Sequence, residues 1–400
     1  MRFMPKLRSL AVLVFALGAC ASDPTPLGHD TSKNPGYHVQ GNQVLDKGGA
    51  VHYFHGVARP SLEWSTSGEN ITAGDFKLMA GWKANVVRIA LNQDSWLFGN
   101  ATAGYQTTVQ QAVEWAKQAG MDVILDLHWS DQGDPVNVKA GQQQMADQNS
   151  LAFWKSVATF YKDDGRVLFE LYNEPHDISW EVWLSGGAAG NFTAVGMQQL
   201  YDAVRSTGAQ NLVIAGGLDW AYDLSGVPTH RIQGTNIIYA THPYSKGNWK
   251  PVSGFDQKWG FLTATDPVII SEFGDNVLEC TTDYTAAVID YADRAGASWT
   301  GWAWYPGGCS FPSLIATWSA GPTAMGQVVK DALARYSTQG MPVTEDGGIA
   351  QPQFDANWPE LPPAIDLASV IDVSSRADAP IGIDLAAGVD TTAMEAAGLD

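Results

Sequence analysis

Charge is scarce in this 400-residue chain: Asp, Glu, Lys and Arg together make up 16%. Basic residues are scarcer still, 23 against 42 acidic, for a net charge of −19. No basic stripe with interleaved aromatics occurs, which argues against a nucleic-acid partner. Cysteine appears three times, at Cys20, Cys280 and Cys309. Two isolated cysteines after Cys20 supply too few ligands for a metal site, and no metal or organic cofactor is expected. The apolar run at the N-terminus, Leu10 to Leu17, is well short of a membrane span. Nor is there a glycine-rich phosphate turn where a doubly wound sheet would want one, since the stretch there reads His55-Gly56-Val57-Ala58-Arg59.

What is present begins with a targeting signal. Arg2, Lys6 and Arg8 precede the short apolar run, which ends Leu17-Gly18-Ala19-Cys20. That ending is similar to a bacterial lipobox, so residues 1–19 are read as a signal peptide and Cys20 as the lipidation site. The protein is therefore expected to be exported, either held on a membrane by that lipid or secreted. Cys280 and Cys309 then remain as a pair, and export makes a disulfide between them plausible.

Residues 20–36 are polar and contain Pro and Gly, as a tether would. Tyr37–Gln40 and Gln43–Asp46, around Gly41-Asn42, predict a small hairpin at the floor of the domain. β-type and helical signals then alternate eight times. The strands predicted are Val51–His55, Asn85–Leu91, Asp122–His128, Val167–Tyr172, Asn211–Ala215, Ile237–Thr241, Val268–Ser271 and Ser298–Trp302. Helices are predicted at Thr107–Gln118, Leu151–Tyr161, Gln198–Ser206, Tyr284–Ala295 and near Met325–Tyr336. Gly120, Gly165, Gly208 and Gly296 are expected as left-handed helix ends. Eight such units in residues 37–340 make an α/β fold of the (β/α)8 TIM barrel type, with an N-terminal hairpin and an acidic C-terminal tail. In the tail, residues 341–400, eleven acids face a single Arg376, and Asp recurs every six residues from Asp366 to Asp390. Low aromatic content and six prolines favour a disordered or weakly folded appendage there. Nothing in the chain demands more than a monomer.

Polar residues fall where the apolar strands run out. The second strand carries Arg88, a charge that burial tolerates only when paired. The third ends in Asp126, His128 and Trp129. The fourth delivers Asn173-Glu174-Pro175, and burial there should raise the Glu174 carboxyl, as a general acid requires. The sixth ends His242-Pro243-Tyr244 and the seventh Ser271-Glu272-Phe273-Gly274. The eighth runs Trp299-Thr300-Gly301-Trp302-Ala303-Trp304, where strict alternation puts Trp302 and Trp304 on one face as candidate sugar platforms. Two carboxylates at barrel strand ends suit glycosidic bond cleavage.

Arg88, His128, Asn173, Glu174, His242, Tyr244, Glu272 and Trp302, in that strand order, resemble the retaining enzymes of glycoside hydrolase family 5, over roughly Tyr37 to Tyr336. The resemblance implies that Glu174 is the acid/base and Glu272 the nucleophile, with His242 on the former and Tyr244 and Arg88 positioning the latter. It implies double displacement on a polysaccharide, with carboxyl groups about 5–5.5 Å apart. The context Leu171-Tyr172-Asn173-Glu174-Pro175-His176-Asp177 looks closest to bacterial cellulases, so an endo-β-1,4-glucanase is expected, and an endo-β-1,4-mannanase is the runner-up. His176, Trp180 and Trp183 are placed on the leaving-group side, and Glu63 and Trp64 at a distal subsite. The Cys280/Cys309 pair and the long Ser130–Asn149 segment depart from the family pattern. A non-catalytic carbohydrate-binding lipoprotein would predict loss of a glutamate or its supporters, and none is lost.

Overall fold

The computed structural model describes residues 36–98, 104–130, 142–245, 249–275, 281–319 and 321–339. The signal peptide, Cys20, Cys280 and the acidic tail lie outside the described residues. Cys309 is disulfide-bonded. Two short antiparallel strands, β1 (His38–Gln40) and β2 (Gln43–Leu45), open the chain. Then come β3 (His55–Arg59), α1 (Ala73–Gly81), β4 (Val86–Asn92), α2 (Gln93–Leu97), α3 (Tyr105–Gln118), β5 (Asp122–Trp129) and α4 (Gln148–Tyr161). β6 (Val167–Glu170) leads into α5 (Trp180–Ser185), the hairpin β7 (Gly187–Ala189) and β8 (Phe192–Ala194), and α6 (Met197–Arg205). The rest is β9 (Val213–Gly216), β10 (Ile237–Thr241), α7 (Phe255–Lys258), β11 (Val268–Ile270), α8 (Asp283–Ala295), β12 (Ser298–Gly301) and α9 (Ala324–Gln339).

Strands β3, β4, β5, β6, β9, β10, β11 and β12 pair in parallel, in that order, and β12 returns to β3 to close the barrel. The expected (β/α)8 architecture is present, with three local differences. The first strand begins at His55 rather than Val51. Val51 instead bridges Leu45, and His52 N donates to Val44 O at 2.8 Å, so this stretch is a third leg of the N-terminal hairpin. Between β9 and β10 the chain crosses over 217–236 in turns and isolated bridges, with no helix. Gly165 does not adopt the left-handed conformation that Gly120, Gly208 and Gly296 do. It is held against Gly36, where an added Cβ would come within 2.5 Å of its backbone.

Why the helices begin where they do is legible locally. Asp147 accepts from the backbone of Asn149 and Ser150 and caps α4, while Asn92 ends β4 by capping α2. Within the barrel, side chains alternate in and out. One inner layer at the strand starts is apolar: Phe54, Val86, Ile124, Leu168, Ile214, Ile238 and Ile269, with Val44, Tyr37 and Val39 of the hairpin packed beneath it. The hairpin is thus the barrel floor, as expected. Each of those fully buried aliphatic side chains contributes roughly 1.5–3 kcal/mol. Outside the strands, a second apolar cluster glues the helices to the barrel wall.

Candidate active site

Two residues beyond the apolar layer the same strand faces turn polar. Val86 is followed on its face by Arg88, Ile124 by Asp126 and then His128, Leu168 by Glu170, and Ile269 by Ser271; all are buried. Period-two geometry therefore sets a charged layer directly on an apolar one. Its hub is Arg88, whose side chain is wholly buried. Nε reaches Glu170 Oε2 at 2.5 Å, Nη1 reaches Glu272 Oε1 at 2.5 Å, and Nη2 lies 2.6 Å from Asn173 Oδ1 and 3.0 Å from Asp126 Oδ2. A guanidinium surrounded by three carboxylates is held charged, well above its ordinary range, in spite of burial.

The two glutamates predicted for chemistry sit one layer higher. Glu272 takes a hydrogen bond from Tyr244 Oη at 2.6 Å as well as from Arg88, and His128 Nδ1 lies 3.9 Å away. Glu174 Oε1 meets His242 Nδ1 at 2.9 Å, and Gln142 Nε2 donates to its Oε2 at 2.7 Å. Glu174, His242 and Glu272 each place one side-chain N or O atom within 4.8 Å of the other two. His128 is held by Asp126 Oδ2 at 2.6 Å and lies flat against Trp302, 5.5 Å between centroids and 10° between planes. All eight residues of the predicted constellation are brought to one end of the barrel.

Electrostatics overturn one expectation. Desolvation does push the Glu174 carboxyl up, but the hydrogen bond and charge of His242, with Lys250 and Gln142, outweigh it and hold the group down at about 2. Conversely, burial disfavours the His242 imidazolium, yet the negative charge of Glu272, with Glu170 3.8 Å away and the hydrogen bond to Glu174, raises it to about 9. The pair therefore holds one proton at neutral pH, and in the free protein it rests on the imidazole. Glu170 is likewise held at about 2, its desolvation outweighed first by Arg88 and then by His242.

The aromatic expectations divide. Trp302 and Trp129 stand at the rim, and Trp64 packs 6.2 Å from Trp129 and edge-on to Tyr305 at 5.5 Å. Glu63 lies beside them, fully buried; it accepts from Ser61 N at 2.7 Å, and burial pushes its carboxyl up to about 7. His176 is beside Glu174, bonded to the Glu174 carbonyl at 2.9 Å and stacked on Trp220 at 3.6 Å. Two of the expected sugar-contact tryptophans, Trp304 and Trp183, are turned into the core. Trp304 is buried against Trp82 and donates to Asp75 Oδ1 at 2.7 Å, because β12 ends at Gly301 and alternation ends with it. Trp183 is fully buried and donates to Gly216 O at 2.8 Å, a core role. Trp180 is packed edge-on against Trp183 and stacked on His230, with Gly226 leaving room for its ring.

Glu170, Ser271, Gln142, Trp220 and Lys250 were missed. For Glu170 the signal was available, two places after Leu168 on an inward face. Gln142 comes from the long loop after β5, which the family pattern does not anticipate. Lys250 is buried, donates to the carbonyls of Trp220 and His242 at 3.1 Å each, and is drawn down to about 8 by burial.

The chain matches the family model for cellulase (glycosyl hydrolase family 5) over residues 44–308. It is 26% identical over 293 residues to endoglucanase MaCel5A of Microbulbifer sp. (strain ALW1), covering 69% of this chain and 54% of that protein. With an endoglucanase of Paenibacillus polymyxa it shares 24% over 372 residues, covering 78% and 91%. The chain spans about half the length of the first curated relatives it matches. Among solved structures, β-glucanase SdGluc5_26A from Saccharophagus degradans in complex with cellotetraose superposes with a TM-score of 0.64 at 24% identity, covering 78% of this chain and 98% of that one. The catalytic domain of Thermobifida fusca endoglucanase Cel5A superposes with a TM-score of 0.58 at 19% identity, covering 77% and 100%.

Proposed function

The chain belongs to the cellulase family, glycosyl hydrolase family 5, and from that premise we propose that it is a retaining endo-β-1,4-glucanase. Glu174 is its acid/base and Glu272 its nucleophile. The observation that carries this reading is the approach of a Glu174 oxygen and a Glu272 oxygen within 4.8 Å. Retaining enzymes hold their carboxyl groups about 5–5.5 Å apart, whereas inverting ones leave roughly 6.5–9.5 Å for a water.

The reaction runs in two displacements. A Glu272 oxygen attacks the anomeric carbon as the glycosidic bond breaks, and Glu174 passes a proton to the departing oxygen. Water then attacks the same carbon, gives its proton to Glu174, and returns Glu272 to its carboxylate, so the configuration is retained. Arg88 and Tyr244 fix Glu272 from two sides and orient it for attack. Asn173, held by Arg88, is set to receive a sugar 2-hydroxyl, and Trp302 is the stacking surface. Endoglucanases among the relatives and the cellotetraose-bound neighbour support a β-1,4-glucan as substrate.

The same reading keeps residues 37–340 as the catalytic domain, 1–19 as a signal peptide, Cys20 as a lipid anchor, 20–36 as a tether and 341–400 as an appendage. Cys309 pairs with Cys280, and the protein acts as a monomer. The test is reducing-sugar release by the full chain on carboxymethylcellulose, β-glucan and mannan, beside Glu174→Gln and Glu272→Gln, with the product anomer followed by NMR. Activity on the glucans, lost in both variants, with the β anomer formed first, is the expected outcome. Activity on mannan alone would keep the mechanism and overturn the substrate.

A further inference from the structure

We propose that Glu170, acting through the Ser271 hydroxyl, is a positioning residue that fixes the tautomer of His242 and keeps the leaving-group proton on the edge between His242 Nδ1 and Glu174. The inference rests on the reading of Glu174 as acid/base.

The geometry is a single file of buried groups. Ser271 Oγ lies 2.7 Å from Glu170 Oε1 and 2.8 Å from His242 Nε2, and His242 Nδ1 lies 2.9 Å from Glu174 Oε1. Glu170 has no exposed side-chain surface, and its other oxygen is bound to Arg88 Nε at 2.5 Å. Beside that guanidinium it stays ionised and has no hydrogen to give. Ser271 has one hydroxyl hydrogen, and a carboxylate at 2.7 Å takes it. What Ser271 then presents to His242 is a lone pair. Nε2 must therefore carry a hydrogen whether the imidazole is neutral or charged.

That requirement decides where the remaining proton sits. With Nε2–H fixed, the neutral ring has a bare Nδ1 that accepts from a protonated Glu174, and the charged ring donates from Nδ1 to the Glu174 carboxylate. Both states keep one proton between His242 and Glu174, next to the leaving oxygen. In the opposite tautomer Nδ1–H would be permanent, and Glu174 could receive no proton from the ring. Glu170 thus does for His242 what a triad carboxylate does for its histidine, at one hydroxyl's remove.

The arrangement also accounts for an acid whose carboxyl is held low in the free protein. Glu272 lies 3.8 Å from His242 Nδ1 and is the strongest charge favouring the imidazolium. As Glu272 bonds to the anomeric carbon, that charge is spent. The proton then moves from Nδ1 to Glu174 and on to the departing oxygen as the glycosidic bond breaks. When water later regenerates Glu272, Glu174 takes the water's proton and the imidazolium re-forms. The charged groups that face His242 are Glu170 from β6, Glu174 from the loop after it, Glu272 after β11, Arg88 from β4 behind Glu170, and Lys250, whose Nζ bonds the His242 carbonyl at 3.1 Å.

The test compares two substrates with one cello-oligosaccharide glycone: one leaves as a sugar alcohol, the other as 2,4-dinitrophenolate, which departs unprotonated. In the full chain, Ser271→Ala and Glu170→Gln should lose about 10- to 100-fold in kcat/KM on the first, within the span of acid catalysis. That loss should exceed the loss on the second by at least about tenfold, and the alkaline limb of the first profile should move to lower pH. Ser271→Thr, which keeps the hydroxyl, should restore both. Equal losses on both substrates, or an unmoved alkaline limb, would overturn the inference by making Glu170 a mere prop for Arg88 and Glu272. If Glu170→Gln fails to fold, the Ala and Thr variants at Ser271 decide alone. A wild-type dinitrophenyl turnover that survives Glu272→Gln would overturn the assigned pair itself, a distinct result.

Discussion

Replacing Arg88 with Met should destabilise the protein by roughly 3–5 kcal/mol at neutral pH, the cost of breaking a buried ion pair from one side. The geometry makes the upper part of that range reasonable. Arg88 contacts Glu170, Asp126 and Glu272 within 3.0 Å, and none of the three carboxylates is more than 5% exposed. Methionine fills the stem's volume but leaves those charges without the guanidinium they share. Glu170 alone supplies a check on the magnitude. Its carboxyl is held near 2 instead of 4.5, which is worth about 3 kcal/mol above pH 4.5. Because the folded value is depressed, that stability is present above the unfolded value and is lost as pH falls through the folded one. The difference between wild type and variant should therefore be full at pH 7 and narrow steadily between about pH 4.5 and 2. Chemical denaturation of both proteins at pH 7, 5, 4 and 3 measures it. A variant within about 1 kcal/mol of wild type at pH 7, beyond the cost of ordinary surface change, would refute the hub assignment. A difference that does not shrink with acid would refute its electrostatic origin.

Other substitutions probe the same layer. Tyr244→Phe removes one of the two groups that hold Glu272 and should cut kcat about 10²-fold with little change in melting temperature. Trp183→Ala should cost about 3–5 kcal/mol in stability while leaving KM unchanged, whereas Trp302→Ala should raise KM and lower kcat with a smaller stability loss. His242 titrates at about 9 in the fold against 6.5 ordinarily. Its stabilising contribution is whole below 6.5 and disappears as pH rises through 9, so the stability difference between wild type and His242→Gln should shrink between pH 7 and 10. Activity should fall over the same alkaline range as the His242–Glu174 pair loses its proton.

The two strand-end carboxylates, Glu174 and Glu272, were legible in the chain because barrel strands write their inner face in the order apolar, then polar, and because a carboxylate at a strand end has few structural reasons to be there. His128, His242 and Tyr244 were legible for the same reason. Glu170 obeyed the rule yet was passed over, since it lies inside an apolar run and only its contact with Arg88 and Ser271 reveals a use. Trp183 and Trp304 failed in the opposite way. An aromatic near a motif reads as a platform, but only packing distinguishes a ring facing a ligand from one facing Gly216 or Trp82.

What the sequence determined by itself was periodicity: where strands run, which of their residues face inward, and hence the barrel and the residue types at its upper rim. Tertiary structure decided everything that depends on distance between elements. The direction of the Glu174 shift is the clearest case, because burial, visible in the sequence, pushes a carboxyl up, while His242, contributed by another strand 68 positions away, pulls it down. Desolvation is a property of one residue's surroundings on average, but a hydrogen-bonded charge acts only at a particular separation, and separations between strands exist only once the barrel has closed.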